Sequence, residues 1–131
     1  MSEANVELVR SFYAALNADD LDAMVALCDD RVEFVNPEYA AEPGTRTGTA
    51  AFRRAFESLL ADFCDFRSCV LEIEAVGDHE VAVIAESTGR GRASDIPFSE
   101  SHGHLLRVHR GRITLFQWFH TVAELRRASG G

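Results

Sequence analysis

The chain has 131 residues, 47% of them hydrophobic, and a net charge of −8 from 13 Lys and Arg against 21 Asp and Glu. That length suits one domain spanning 1–131 with room for a real core. The acidic balance leaves no excess of basic groups to neutralise phosphates, so neither nucleic acid nor membrane is expected as a partner.

No apolar run approaches the roughly 20 residues of a membrane span. The start, Met-Ser-Glu-Ala-Asn-Val-Glu, has neither the basic nor the apolar region of a signal peptide. A cytoplasmic protein is expected. Cys28, Cys64 and Cys69 are odd in number, lack CxxC spacing and sit in apolar stretches, which predicts buried, reduced thiols.

Residues 4–17 place Val6, Val9, Phe12, Tyr13 and Leu16 three and four apart, the pattern of one helix face. Asp19 or Asp20 can cap a second helix whose face is Leu21, Met24, Val25 and Cys28, and Asp29 and Asp30 are expected to end it. Val32, Phe34 and Asn36 then alternate as a strand stopped by Pro37. Residues 37–47 hold two Pro and a Gly and read as a loop, before Gly48-Thr49 opens a third helix with the stripe Phe52, Phe56, Leu59, Leu60 and Phe63.

From Phe66 the period becomes two. Cys69, Leu71, Ile73 and Ala75 are expected to form an apolar strand face, followed by a turn at Gly77-Asp78. Further strands are predicted over 81–91, 99–109 and 113–120, the last two joined by a tight turn at Arg110-Gly111. Thr121 with Glu124 has the form of a capping box and predicts a final helical turn. Helices first and an antiparallel meander afterwards give an α+β class.

Several signatures are missing. There is no GxxxxGK[ST] and no Gly-x-Ser-x-Gly, and Gly89-Arg90-Gly91 precedes no helix, so it reads as a bulge or bend. What remains is a polar set that strand alternation brings together. The inward row of the third strand of the meander is Glu100, His102, His104, Leu106 and Val108. On the last strand, Thr114, Phe116, Trp118 and His120 share one face and Leu115, Gln117 and Phe119 the other; either is apolar enough to be buried. Glu86 faces either the interior or water.

An imidazole near neutrality is a natural proton shuttle, which makes His104 and His120 candidate catalytic residues. A hydrogen-bonded histidine in a half-polar cavity is the plainer alternative for each. His102, His104 and His120 could also hold a metal, but no carboxylate follows at cupin spacing, so no metal and no cofactor is expected. Glu38 and Glu42 are loop carboxylates, of which Glu38 is a weaker catalytic candidate.

The segments Phe12 to Asn17, Asp-Leu-Asp-Ala at 20–23, Val-Ala-Leu at 25–27, Asp29-Asp30, Asn36-Pro37 and Glu42 through Ala50 resemble ketosteroid isomerases. Gly111-Arg112-Ile113 and Gln117-Trp118-Phe119-His120-Thr121-Val122-Ala123-Glu124 resemble the SnoaL-like polyketide cyclases of the nuclear transport factor 2-like superfamily. The resemblance implies a conical barrel, with three N-terminal helices packed on a curved mixed or antiparallel sheet enclosing one pocket. It also implies a homodimer through the outer sheet face.

In the isomerases a Tyr on the first helix and a protonated Asp hold the oxyanion, and an Asp before the proline is the base. Here Phe12 stands for that Tyr, Asn36 for the base, and His104 falls near the second Asp; Tyr13 is one residue, about 100° of helix, away. An amide cannot abstract a proton, so steroid isomerisation by that mechanism is not expected. The resemblance implies instead a small hydrophobic ligand, a carbonyl compound handled by acid–base chemistry. His104 or His120 would accept the proton, Tyr13 and Asn36 would bind the substrate oxygen, and Phe56, Trp118 and His102 would line the site. The alternative is a non-catalytic ligand-binding or dimerisation module using the same pocket.

Overall fold

The computed structural model describes residues 2–36 and 44–129, in the order α1 (Ser2–Asn17), α2 (Leu21–Ala26), β1 (Cys28–Asn36), β2 (Gly44–Thr47), α3 (Thr49–Asp62), β3 (Phe63–Val76), β4 (Glu80–Gly91), β5 (Pro97–His109), β6 (Arg112–Phe119) and α4 (Val122–Ala128). Glu38 and Glu42 lie outside the described residues. Among the described residues, no helix is long and apolar enough to cross a membrane.

The apolar stripe of α1 is the face it buries: Val9, Phe12, Tyr13 and Leu16 are all in the core. At its end Asn17 fastens the helix to β3, donating to the Ser68 carbonyl at 2.9 Å and accepting from the Ser68 amide at 2.7 Å. Asp20 caps α2 by accepting from the Ala23 amide. That helix stops at Ala26 and β1 has begun by Cys28, so Asp29 and Asp30 belong to a strand and not to a helix end. The end of the expected loop is also a strand: β2 pairs antiparallel with β1, from Glu33 with Thr47 to Asn36 with Gly44.

The sheet is mixed, with order β2-β1-β6-β5-β4-β3; β1 runs parallel to β6 and the other pairs are antiparallel. It curves around the helices without closing, so the cone is an open sheet and not a barrel.

Two of the sheet's register shifts overturn the expected strand faces. One falls between Val70 and Glu72 on β3, where Leu71 is the extra residue. Before it the buried face is Phe66 and Ser68 with Val70; after it Ile73 joins the core. The expected face Cys69-Leu71-Ile73-Ala75 is therefore half wrong: Cys69 is exposed and Leu71 is 55% exposed, because a bulge inverts the alternation. The other shift lies opposite Arg107 and Val108, where Thr114 is extra, so Ile113 shares the core with Phe116 and Trp118 in its place. Glu86 pairs with Cys69 and Ser101, both exposed, and so lies on the outer face.

Inside the cone the rings of Phe12, Phe34, Phe52, Phe56 and Phe116 pack on one another with centres 5.2–6.2 Å apart, mostly edge to face. Each fully buried ring contributes roughly 1.5–3 kcal/mol. Much of the hollow expected between the helices and the sheet is thus phenylalanine.

Candidate functional site

At one end of this stack α1 delivers Tyr13 to β5. The Tyr13 hydroxyl lies 2.5 Å from His104 Nδ1, and the two rings are near parallel at 5.8 Å. Both side chains are buried, Tyr13 2% and His104 8% exposed. Tyr13 therefore reaches the β5 position despite its offset from Phe12. Phe12 points instead into the phenylalanine cluster.

Burial pushes the His104 imidazole down to about 3, and the nearby charge of His102 pushes the same way. Burial also raises the Tyr13 phenol well above its ordinary 10. Both groups are neutral at physiological pH, which is what a dry setting demands of uncompensated charges. The phenol has no other partner among the described residues, so its O–H donates to Nδ1. The tautomer follows by inference: the neutral ring carries its own proton on Nε2.

Around His104 stand Phe116 at 4.9 Å, His102 at 6.5 Å with parallel rings, and Trp118, its direct partner across β5 and β6. The Trp118 indole donates to Asn36 Oδ1 at 2.5 Å, and Phe34 stacks on Phe116. Asn36 and His104 are thus on the same side of the sheet, with Trp118 between them. His102, its side chain 15% exposed, has Nε2 3.4 Å from the Glu100 carboxylate and its ring 6.0 Å from Trp118.

The expected residues do not all converge. Tyr13, His102, His104, Trp118 and Asn36 form one contiguous group. Phe56 is inside the ring cluster, touching Phe12, Phe34, Phe52 and Phe116. His120 was expected on the inward face with Trp118, but β6 ends at Phe119 and His120 is exposed beyond it, its ring 6.3 Å from that of His102. Among the described residues, no group of three or more His, Cys, Asp or Glu side chains could hold a metal ion. A surface cleft of about 680 Å³ lies elsewhere, lined by His79, Arg107, His109 and Thr114 at the hairpin ends.

The sequence of the SnoaL-like domain family matches residues 9–116, most of the chain. This protein belongs to the SnoaL-like family. The SnoaL-like chain is similar to a Catenulispora acidiphila protein with a ketosteroid isomerase-like fold solved in complex with trimethylamine, at 22% identity and TM-score 0.77 over 95% of this chain and 92% of that one. It is also similar to TerC co-crystallised with polyporic acid, at 18% identity and TM-score 0.78 over 98% and 99%. A third similar structure is a Xanthomonas campestris pv. campestris protein provisionally named a polyketide cyclase, at 19% identity and TM-score 0.75 over 98% of each chain. At these identities the likeness is one of fold. No curated protein matches this SnoaL-like sequence.

No local run marked the partnership of Tyr13 with His104, which lie 91 residues apart; only the likeness to the isomerases drew both towards one site. Glu100 appeared in the inward row, but nothing local marked it as the partner of His102.

Proposed function

We propose that this SnoaL-like protein binds a small hydrophobic carbonyl compound at the Tyr13–His104 pair and shifts a proton on it, in the manner of an isomerase or cyclase. The observation that carries this reading is the buried 2.5 Å contact between the Tyr13 hydroxyl and His104 Nδ1. It commits the imidazole proton to Nε2, which has no partner among the described residues and is not among the fully covered unpaired atoms. A neutral N–H fixed in place before reaction is suited to an oxygen on which negative charge develops. With burial holding the ring neutral down to about pH 3, His104 acts here as a hydrogen-bond donor and not as the proton acceptor. Trimethylamine and polyporic acid, bound by two proteins of the same fold, support a small molecule as partner.

The test is titration with polyporic acid and with cyclohexanone, followed by thermal stability. Saturation at 100 times Kd stabilises by about 2.7 kcal/mol. His104→Phe removes one neutral hydrogen bond and weakens binding up to about tenfold. Equal affinity in wild type, His104→Phe and Tyr13→Phe would rule this site out.

A second reading, a non-catalytic binding module, is favoured by one observation: the rings of Phe12, Phe34, Phe52, Phe56 and Phe116 occupy the interior. It predicts binding without turnover of any ketone offered. Either reading includes a homodimer through the outer sheet face, where Leu71 is 55% exposed. Sedimentation at about twice the 14.5 kDa chain mass checks it.

A further inference from the structure

If His104 gives a hydrogen bond, some other group must take the proton, and Glu100, His102 and His120 are near enough to compete. We infer that His102 is the acceptor, held in its working tautomer by Glu100, with Nδ1 as the atom that receives the proton; this rests on the carbonyl-binding reading above.

Glu100, His102 and His104 are alternate residues of β5 and so share its inner face. The His102 and His104 ring planes are within 18° of each other and their centres 6.5 Å apart. A carbonyl oxygen held by one ring therefore has its neighbouring carbon near the other. Glu100 Oε2 lies 3.4 Å from His102 Nε2, and a carboxylate there draws the ring proton onto Nε2. That leaves the lone pair on Nδ1.

Nδ1 is buried and has no hydrogen-bond partner among the described residues. An orphaned polar atom of this kind is costly to bury, and an apolar residue would have avoided the cost. Nδ1 is covered in the free protein, so a ligand reaches it by displacing a neighbouring side chain.

The rivals are less suited. Glu100 is 59% exposed at its side chain, a solvated carboxylate, and His120 is exposed beyond the strand end. Burial is the main influence on the His102 ring and lowers its proton affinity; the Glu100 charge opposes this, the His120 charge adds to it, and the His120 carbonyl opposes it. The net effect is downward, so the ring is unprotonated at neutral pH, as an acceptor must be. The His120 carbonyl also acts on the ring, but it carries only a partial charge against the full charge of Glu100.

In the step itself the carbon–hydrogen bond next to the carbonyl breaks. Its electron pair becomes the carbon–carbon double bond of the enolate, and the proton goes to Nδ1. The oxygen takes the negative charge against His104 Nε2–H. Return of the proton to the same carbon gives exchange. Where a carbon–carbon double bond is conjugated with the enolate, return of the proton to the far end of that system moves the double bond and completes an isomerisation, with no redox partner or co-reactant.

Two measurements test this. In long-range proton–nitrogen spectra, His102 is expected as the Nε2–H tautomer, and Glu100→Gln is expected to mix the two forms. A wild-type Nδ1–H tautomer overturns the assignment, whatever the ligand. In deuterated buffer, the protein is expected to speed hydrogen exchange next to the carbonyl of cyclohexanone. His102→Gln is expected to lose about 10²–10⁴-fold of that rate, the usual share of a general base. The rate is expected to fall as pH drops through a midpoint below the ordinary histidine value of 6.5, with Glu100, His104 and His120 as the titratable groups facing the ring. Cyclohexanone that perturbs the His104 ring signals yet exchanges no faster, or exchanges fully in His102→Gln, overturns the inference while leaving the binding reading intact. Cyclohexanone that leaves the His104 signals unmoved defeats the binding reading, and the tautomer then decides the role of His102. Should His102→Gln fail to fold, Glu100→Gln serves in its place, with a smaller loss expected and an unchanged rate as the contrary result.

Discussion

Leu125 of α4 rests directly on Gly103, and Gly103 is the residue of β5 between His102 and His104. A Cβ built on Gly103 would overlap the Cβ of Leu125 and lie 2.8 Å from its Cδ2. Leu125, Leu105 and Phe119 form a separate small core on the outer face of the sheet. The last helix thus braces from behind the strand that carries the site histidines.

Gly103→Ala is therefore expected to lift α4 from the sheet, at a cost of about 1–3 kcal/mol for overpacking. Urea denaturation checks the loss of stability. The side-chain signals of His102 and His104 should shift in the same variant, whereas Leu125→Gly, which removes the clashing Cβ, should restore them when combined with it.

Stability should depend on pH through His104. Its proton affinity is lowered to about 3 in the fold against an ordinary 6.5, so between those values the unfolded chain binds more protons. Stability is then fully present above about pH 6.5 and falls as pH drops towards 3, with a slope of at most about 1.4 kcal/mol per unit from this group. Denaturation midpoints across that range should flatten in His104→Phe relative to wild type.

Tyr13→Phe leaves His104 Nδ1 buried without its donor. A loss of about 1–3 kcal/mol is expected, the cost of an unsatisfied buried group. The same variant frees the tautomer, so nitrogen spectra should show His104 no longer held as the Nε2–H form.

Phe56→Ala removes a ring in contact with Phe12, Phe34, Phe52 and Phe116. The expected cost is about 3–5 kcal/mol, transfer and cavity terms together. A dry cavity lined by the remaining rings should accept benzene, seen as a rise in melting temperature on saturation.

At the far end of the chain, Thr121 caps α4 by accepting from the Glu124 amide at 3.2 Å, and its hydroxyl meets the Glu124 carboxylate at 3.1 Å. Thr121→Ala should destabilise by about 0.5–2 kcal/mol. Loss of α4 helicity in circular dichroism checks it.

What the sequence determined by itself were the properties that local chemistry enforces. The apolar stripe of α1, a cap at Asp19 or Asp20, the tight turn at Arg110 and Gly111, the capping box at Thr121 and the inward row Glu100–His102–His104–Leu106–Val108 all follow from periods and side chains read over a few residues. The family was legible for the same reason, since its motifs are local runs.

Tertiary structure alone decided the rest. The bulges at Leu71 and Thr114 invert a strand face without altering its composition, so a period of two cannot reveal them. Strand β2 exists because β1 offers it a free edge. The end of β6 at Phe119 moves His120 out of the inner row. The bond between Tyr13 and His104 joins residues far apart in the chain, and the burial that keeps both neutral belongs to the packed whole. Proximity across the fold and exclusion of water are collective properties, and no window of residues contains them.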